Sequence, residues 1–284
     1  MQPTDRPTLG VVAISFDEEE DLPGFLANLT PWVDEIVIVD DGSSDATAAI
    51  AAAGGDKVRF IPSPRASGEY YSHQRNKGIA AAESEWLLHM DIDERVSGPL
   101  ASEILSAIRA GSADAFRFRR RNYFLHRPMR GGGWQRWNQE HLARREVLTF
   151  GGMFHETCAL AEGARVGQLR GWMNHLNDAS FEERMRKSAS YHPEVMARLR
   201  ESGVSVGLGK LMLDPVAVFL RSYLALGGFR DGVPGFIFAV HSATARFRAL
   251  ASLWGEQHQI SRASLERDLA EAWEKEGPRG PGAG

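Results

Sequence analysis

Apolar positions fall in short runs, and the stretches between those runs have the length and spacing of helices. Four runs, Leu9–Phe16, Glu35–Asp40, Lys57–Ile61 and Glu85–Met90, read as strands, and 22–30, 45–53, 72–83 and 99–109 read as helices. Strands alternating with helices predict right-handed βαβ crossovers and a largely parallel sheet. Val11-Val12-Ala13-Ile14 and Ile36-Val37-Ile38-Val39 are apolar without alternation, the pattern of strands covered on both faces. Ala113–Arg119 instead alternates apolar residues with arginine (Phe116, Arg117, Phe118, Arg119), which predicts a fifth strand with one wet face. An Arg/Gly/Trp-rich insertion follows at 120–140, then short strands to about 172 and helices from about 178 to 274. The expected organisation is a ligand-binding α/β half over 1–115, a second part of the same unit over 116–177, a helical region over 178–276, and a disordered Gly/Pro-rich tail over 277–284.

The chain of 284 residues has one cysteine, Cys158, so it holds no internal disulfide and is expected in a reducing compartment, the cytoplasm. Its start lacks a basic segment followed by an apolar run, so no signal peptide is expected. The most apolar region, 211–254, is interrupted by Asp214, Pro215, Arg221, Arg230, Asp231 and Pro234. It is therefore expected to pack on the rest of the chain, to dimerise, or to lie on a membrane surface rather than to cross one. The net charge of −4 argues against a generally basic nucleic-acid binder. That average conceals a segment, 117–145, with nine arginines and one acid, Glu140, so it carries +8 and leaves −12 for the remainder.

Polar residues collect at the carboxyl ends of the apolar runs: Ser15-Phe16-Asp17-Glu18, Asp40-Asp41-Gly42-Ser43-Ser44-Asp45, and Asp91-Ile92-Asp93-Glu94. Open α/β sheets bind ligands at that edge. Asp and Ser also serve as turn and cap residues, so each cluster has a structural reading as well. Asp91 and Asp93, two apart at a strand end, project to one side and suit a shared hard cation, Mg²⁺ or Mn²⁺.

Val37-Ile38-Val39-Asp40-Asp41-Gly42-Ser43-Ser44-Asp45-Ala46-Thr47 resembles the signature of family 2 glycosyltransferases. The same family order holds for Ile14-Ser15-Phe16-Asp17-Glu18, Gln74-Arg75-Asn76-Lys77-Gly78 and Leu88-His89-Met90-Asp91-Ile92-Asp93-Glu94. Arg121-Asn122-Tyr123-Phe124, Gly131-Gly132-Gly133-Trp134, Leu142-Ala143-Arg144-Arg145 and Phe154-His155-Glu156 resemble small bacterial enzymes that add sugars to the lipopolysaccharide inner core. The resemblance implies a GT-A fold with a C-terminal helical extension, a UDP-linked sugar donor, Mg²⁺ or Mn²⁺, inversion at the transferred sugar, and a glycan or glycolipid acceptor. It implies that Asp41 holds the nucleoside near Ile14, Ser15 and Glu18, that Arg75 faces the diphosphate, and that Asp91 and Asp93 bind the metal.

The same resemblance makes Glu156 the expected base for the acceptor hydroxyl, with Glu140 and Asp178 as rivals and His155 or His175 as orienting or phosphate-contacting groups. Trp134, Trp137, Arg121 and His155 are the expected acceptor contacts. The basic segment reads as an acceptor platform or a contact with an anionic membrane surface; acids at 17–21 could alternatively neutralise it. Two other functions fit parts of the chain: a sugar-phosphate nucleotidyltransferase, and a polyanion-binding module built on 117–145. The first is disfavoured because Asp17-Glu18-Glu19-Glu20-Asp21 stands where a basic glycine-rich loop would bind triphosphate. No nucleic-acid partner is expected.

Overall fold

The computed structural model describes residues 6–151 and 157–277. Four strands, β1 (Leu9–Ser15), β2 (Glu35–Asp40), β3 (Val58–Pro62) and β4 (Trp86–Asp91), lie parallel in the order β3-β2-β1-β4. They alternate with helices α1 (Leu22–Leu29), α2 (Thr47–Ala52) and α3 (Tyr71–Ala81); a short strand β5 (Glu94–Val96) and helix α4 (Gly98–Ala110) follow. The unalternating apolar runs are covered on both faces, as expected. Val11, Ala13, Ile36, Ile38, Leu88 and Met90 pack with Phe25, Leu29, Leu100, Ile104 and Ile108 of α1 and α4. Val12, Val37 and Leu87 meet Ile79 of α3 on the opposite face.

Helix α4 shows how the sequence specifies one such layer. Ser97 caps its start by accepting a hydrogen bond from the Leu100 amide, Pro99 sits in its first turn, and Gly111 ends it at φ +59°. Its apolar residues at 100, 104 and 108 make one buried stripe, each contributing about 1.5–3 kcal/mol of apolar burial.

The sheet then continues through strands that arrive later in the chain. They are β6 (Ala115–Phe124), a two-residue β7 (Arg127–Pro128), β8 (Asn138–Arg144) and β11 (Val166–Asp178). The order is β4-β8-β6-β11-β5, with β8 antiparallel to both β4 and β6 and β11 parallel to β6. Strands β9 (Leu148–Gly151) and β10 (Thr157–Leu160) form a separate antiparallel pair. The fifth strand runs to Phe124 rather than Arg119, because the alternation of buried and wet positions continues through Asn122 and Phe124.

Helices α5 (Phe181–Ser190), α6 (His192–Glu201), α7 (Leu208–Leu220), α8 (Gly232–Gln257) and α9 (Arg262–Glu276) follow. Met196, Leu199, Leu250 and Leu253 join α6 to α8. Phe238 of α8 packs on Phe124, Met129 and Trp134, which anchors the helical region to the sheet. The glycine-rich insertion is used there: a Cβ on Gly131 would lie 2.2 Å from the Gly227 carbonyl oxygen, and Gly132 and Gly133 adopt φ +73° and +101°.

Candidate active site

The ends of β1, β2 and β4 lie side by side, with Ile14 paired to Val39 on one side and to Asp91 on the other. Their acidic residues divide into two groups. Asp40 is committed to the fold: its carboxylate accepts from the Ser15 hydroxyl at 2.8 Å, the Gly42 and Ser43 amides at 3.0 and 2.8 Å, and the Ser43 hydroxyl at 2.5 Å. Gly42 makes that turn at φ +93°. Asp17, itself at φ +53°, accepts from the Ser44 amide at 2.7 Å, and Asp45 accepts from the amides of Glu19 and Thr47. Ser15, expected at the donor, thus serves the β1–β2 junction.

Asp41 turns the other way and is held by Arg65, whose backbone amide and Nε donate to its two oxygens at 2.7 and 2.6 Å. Arg65 also lies 4.0 Å over the Tyr71 ring. The arginine comes from the 63–70 loop, which has no hydrophobic period to mark it.

The α3 motif distributes its work residue by residue. Arg75 is buried and donates to Asp91 Oδ1 at 2.5 Å. Asn76 exchanges two hydrogen bonds with the Phe150 backbone, at 2.8 and 2.9 Å, and so ties β9 to α3. Lys77 holds Glu69 and the Ser63 hydroxyl. Gly78 lets the helix approach β1, since a Cβ there would sit 2.4 Å from Val12.

Around the β4 end, charge is concentrated. Asp93 Oδ2 lies 3.1 Å from His175 Nε2, and His175 Nδ1 lies 2.7 Å from Asn122 Oδ1. Glu94, fully buried, accepts from the Asp91 amide at 3.1 Å and from Arg120 at 3.2 Å. Although burial opposes ionisation, the Arg75 guanidinium, with His175 and Arg120, holds the Asp91 carboxyl well below the usual carboxylate range. Burial and the Asp91 charge push the Glu94 carboxyl up. Across the crevice, burial and the charges of Asp93, Asp21 and Asp91 push Glu18 up to about 8. Lys187 of α5 bears on the same acids: burial alone would lower its ammonium, but Glu183 at 2.7 Å and Asp178 hold it up.

These residues fit a hard divalent cation. Asp91, at the end of β4, and Asp93, in the turn after it, supply oxygen donors, and Glu18, its carboxyl raised by burial first and then by the charges of Asp93, Asp21 and Asp91, lies near enough to feel both. Among the described residues no group of three or more His, Cys, Asp or Glu surrounds a common centre, so the remaining positions would fall to phosphate oxygens and water.

The expected acceptor and base residues fare differently. Glu156 and His155 lie outside the described residues. Glu140 is paired with Arg117 at 2.7 Å. The Asp178 side chain is fully buried, 3.6 Å from Arg184 and 3.9 Å from Lys187, which makes it an internal counter-ion. Arg121 lies on the opposite face of β6, 5.5 Å from the Trp172 ring, and Arg120 takes the position facing the site. Successive strand residues point to opposite faces, so the expectation was one residue out of register.

Trp134 packs at 4.4 Å on Phe238 as part of a hydrophobic cluster rather than standing free to stack on a sugar. Trp137 lies between Arg120, 4.2 Å over its ring, and His141, whose ring centre is 4.6 Å away. The basic segment is neutralised in part by Glu94, Asp114 and its own Glu140, not by the acids at 17–21. Glu94, Arg120, Lys187 and Arg65 were missed as site residues; of these only Glu94 had a signal, its place directly after Asp93.

Beneath the β4 end, His89 and His141 stack at 4.2 Å. Each ring bonds backbone across β4 and β8, His89 to the Glu140 carbonyl at 2.8 Å and His141 to the His89 carbonyl at 3.0 Å. Burial holds both imidazoles neutral, His141 down to about 4.

Residues 10–161 match the family model described as Glycosyl transferase family 2. The lipopolysaccharide core biosynthesis glycosyltransferase LpsC of Rhizobium meliloti (strain 1021) is 28% identical over 247 residues, covering 83% of this chain and 88% of LpsC. An uncharacterized glycosyltransferase of Rickettsia felis is 24% identical, covering 78% of this chain and 80% of its own. Among solved structures, S. aureus TarS 1–349 is similar at 15% identity and a TM-score of 0.48, covering 90% of this chain and 93% of that one.

Proposed function

This chain belongs to glycosyltransferase family 2, and from that premise we propose that it transfers a sugar, with inversion, from a UDP-linked donor to a glycan or glycolipid hydroxyl such as that of a lipopolysaccharide core. The observation that carries the reading is the convergence of Asp91 from the end of β4, Asp93 from the turn after it, Arg75 from α3 and Glu18 from the β1–α1 turn at the carboxyl edge of parallel strands. LpsC, alike over most of both chains, supports the acceptor class.

In this reading Asp91 and Asp93 hold Mg²⁺ or Mn²⁺, which supplies neutralisation of the departing diphosphate. Arg75, buried and aimed into the crevice, offers a guanidinium to the phosphate oxygens. Asp41 and Arg65 shape the nucleoside end beside Ile14. Glu156 takes the acceptor hydroxyl proton as that oxygen bonds to the anomeric carbon and the bond to the diphosphate breaks. Glu140 and Asp178 are already spent on arginines. His175 orients Asp93.

A membrane surface is the setting we infer for the acceptor. No single helix among the described residues is long and apolar enough to cross a bilayer, although α7 and α8, bent by 68° at their junction, pass that test together. Their outward residues Leu213, Val216, Leu220, Val233, Phe236 and Phe247 are exposed, and Arg221 and Arg230 stand between them. Such a surface suits an anionic interface.

The donor is tested by thermal shift with UDP-, GDP-, dTDP- and CMP-sugars, with and without Mn²⁺. Stabilisation by the UDP-sugar only with metal is expected; equal responses to all four, or none, would sink the donor reading. Flotation with anionic vesicles, lost in Val233→Glu/Phe236→Glu, is expected for the membrane face. A monomer–dimer shift in that variant without any flotation would instead assign the face to a second copy.

A further inference from the structure

A second cleft lies away from the acidic crevice, between α5, the start of α6 and α8. It has a volume of about 360 Å³. Its lining is dominated by donors: Arg184 and Ser188 of α5, His192 of α6, and His241, Arg246 and Arg248 of α8. We propose that this cleft binds a phosphate group carried by a lipid or a glycan. The inference does not rest on the donor reading, because none of these residues contributes to the Asp91–Asp93 site.

The cleft has more positive charge than its acids neutralise. Arg246 lies 2.7 Å from Asp214, but Asp214 is shared with Lys210. Arg184 lies 3.6 Å from Asp178, but Asp178 is shared with Lys187. Arg248 hydrogen-bonds the Ser188 hydroxyl at 2.7 Å and has no carboxylate partner among the described residues. The His241 imidazole accordingly sits low, by burial first and then by the charges of Arg184 and Arg248.

Two side-chain nitrogens are left without a partner inside. His241 is only 4% exposed, and its Nε2 has no hydrogen-bond partner among the described residues. The Nε of Arg184 is likewise buried and unpartnered. A buried polar nitrogen without a partner is costly, and a tetrahedral oxyanion accepts from a guanidinium and from the N–H tautomer of an imidazole at once. Arginine forks, a histidine and a serine, with no free acid among them, match a phosphate better than a neutral sugar hydroxyl.

Either source of phosphate fits the surroundings. The exposed apolar residues Val233, Phe236 and Phe247 lie on the same helix as His241 and Arg248, on a neighbouring face, so a lipid seated on that face would bring its headgroup near the cleft. Arg184 also abuts Trp134 and touches Asp178 at the end of β11, so a phosphorylated acceptor could extend toward the catalytic edge.

The test is a thermal-shift titration with inorganic phosphate on wild type, Arg248→Ala and Arg248→Lys, with and without UDP. Arg248 is exposed, so both variants should fold. The expected result is a saturable stabilisation of wild type that UDP does not remove, weakened roughly ten-fold in Arg248→Ala and partly restored in Arg248→Lys. An Arg248→Ala titration equal to wild type, the absence of saturation, or loss of the effect with UDP would overturn the proposal. The last outcome would move the phosphate to the diphosphate crevice. Failure of UDP itself to stabilise the protein would count against the donor reading and leave this one standing. Flotation with phosphatidylglycerol but not phosphatidylcholine vesicles, lost in Arg248→Ala, identifies lipid phosphate as the source. Retained phosphate binding without that difference identifies glycan phosphate.

Discussion

At the end of β2, Asp40 accepts four hydrogen bonds from neighbouring amides and hydroxyls, while at the end of β4, Asp91 meets the Arg75 guanidinium and Asp93 the His175 imidazole. The two runs look alike as sequence. The difference is the kind of partner: two backbone amides and two short hydroxyl side chains of the same turn and the adjoining strand hold Asp40, and donors so fixed commit its carboxylate to the fold. Arg75 and His175 reach Asp91 and Asp93 from other elements as single side chains that can turn to a ligand, which fits the role proposed for these two carboxylates. A third acid, Glu18, is raised to about 8 by burial first and then by the charges of Asp93, Asp21 and Asp91.

This contrast can be broken at several points, in decreasing order of effect. Asp93→Ala should lower transfer by roughly 10³-fold, about 4 kcal/mol of transition-state stabilisation, with its melting temperature near wild type. Wild-type turnover in that variant would remove the β4 end from catalysis. Asp40→Ala should do the reverse. Stripping a buried acceptor from four donors should cost about 3 kcal/mol of stability, measured by urea denaturation, with turnover lost only in proportion to unfolding.

A pH effect comes next. The unfolded His141 imidazole takes a proton below about 6.5, while the folded one does so only below about 4. Between those values the unfolded chain binds more protons, so stability falls as pH drops through that window, by on the order of 3 kcal/mol from this residue. Denaturation midpoints from pH 7 to pH 4 measure it, and a His141→Phe variant with the same slope as wild type would assign the loss to other groups. The smallest effect is at Asp17, whose φ of +53° suits Asp better than Ala. Asp17→Ala should cost about 1 kcal/mol and leave transfer intact.

The parallel half was legible because its strands are buried on both faces, and such strands show as unbroken apolar runs in Val11–Ile14 and Ile36–Val39. Its turns were legible because Asp, Ser and Gly have local reasons to sit there. The rest depends on contacts distant in sequence. Nothing local in Asn138–Arg144 says that it inserts between β4 and β6; the alternation of Phe116 and Phe118 does put Arg120 rather than Arg121 on their face, but only the pairing of β6 with β8 and β11 brings that face to Glu94. Arg65 and Lys187 reach the site from a loop and from a helix outside the parallel half, so motif spacing could not reveal them. For Trp134 the sequence showed an aromatic beside glycines, but only the packing of Phe238 decides that it is a wall.

The placement of β8 bears on how the chain is made as well as how it works. His141 closes onto His89 from 52 residues further along, and β5 has no strand partner until β11. While a ribosome is still producing the middle of the protein, the apolar β4 therefore presents a bare hydrogen-bonding edge. Pairing across so long a loop is slow to nucleate, so folding should wait for the late strands rather than proceed half by half. A fragment ending at residue 115 would keep Asp91 and Asp93 and lose β8, the strand that covers the edge of β4 at Trp86–Leu88, and it should aggregate rather than act as a smaller enzyme.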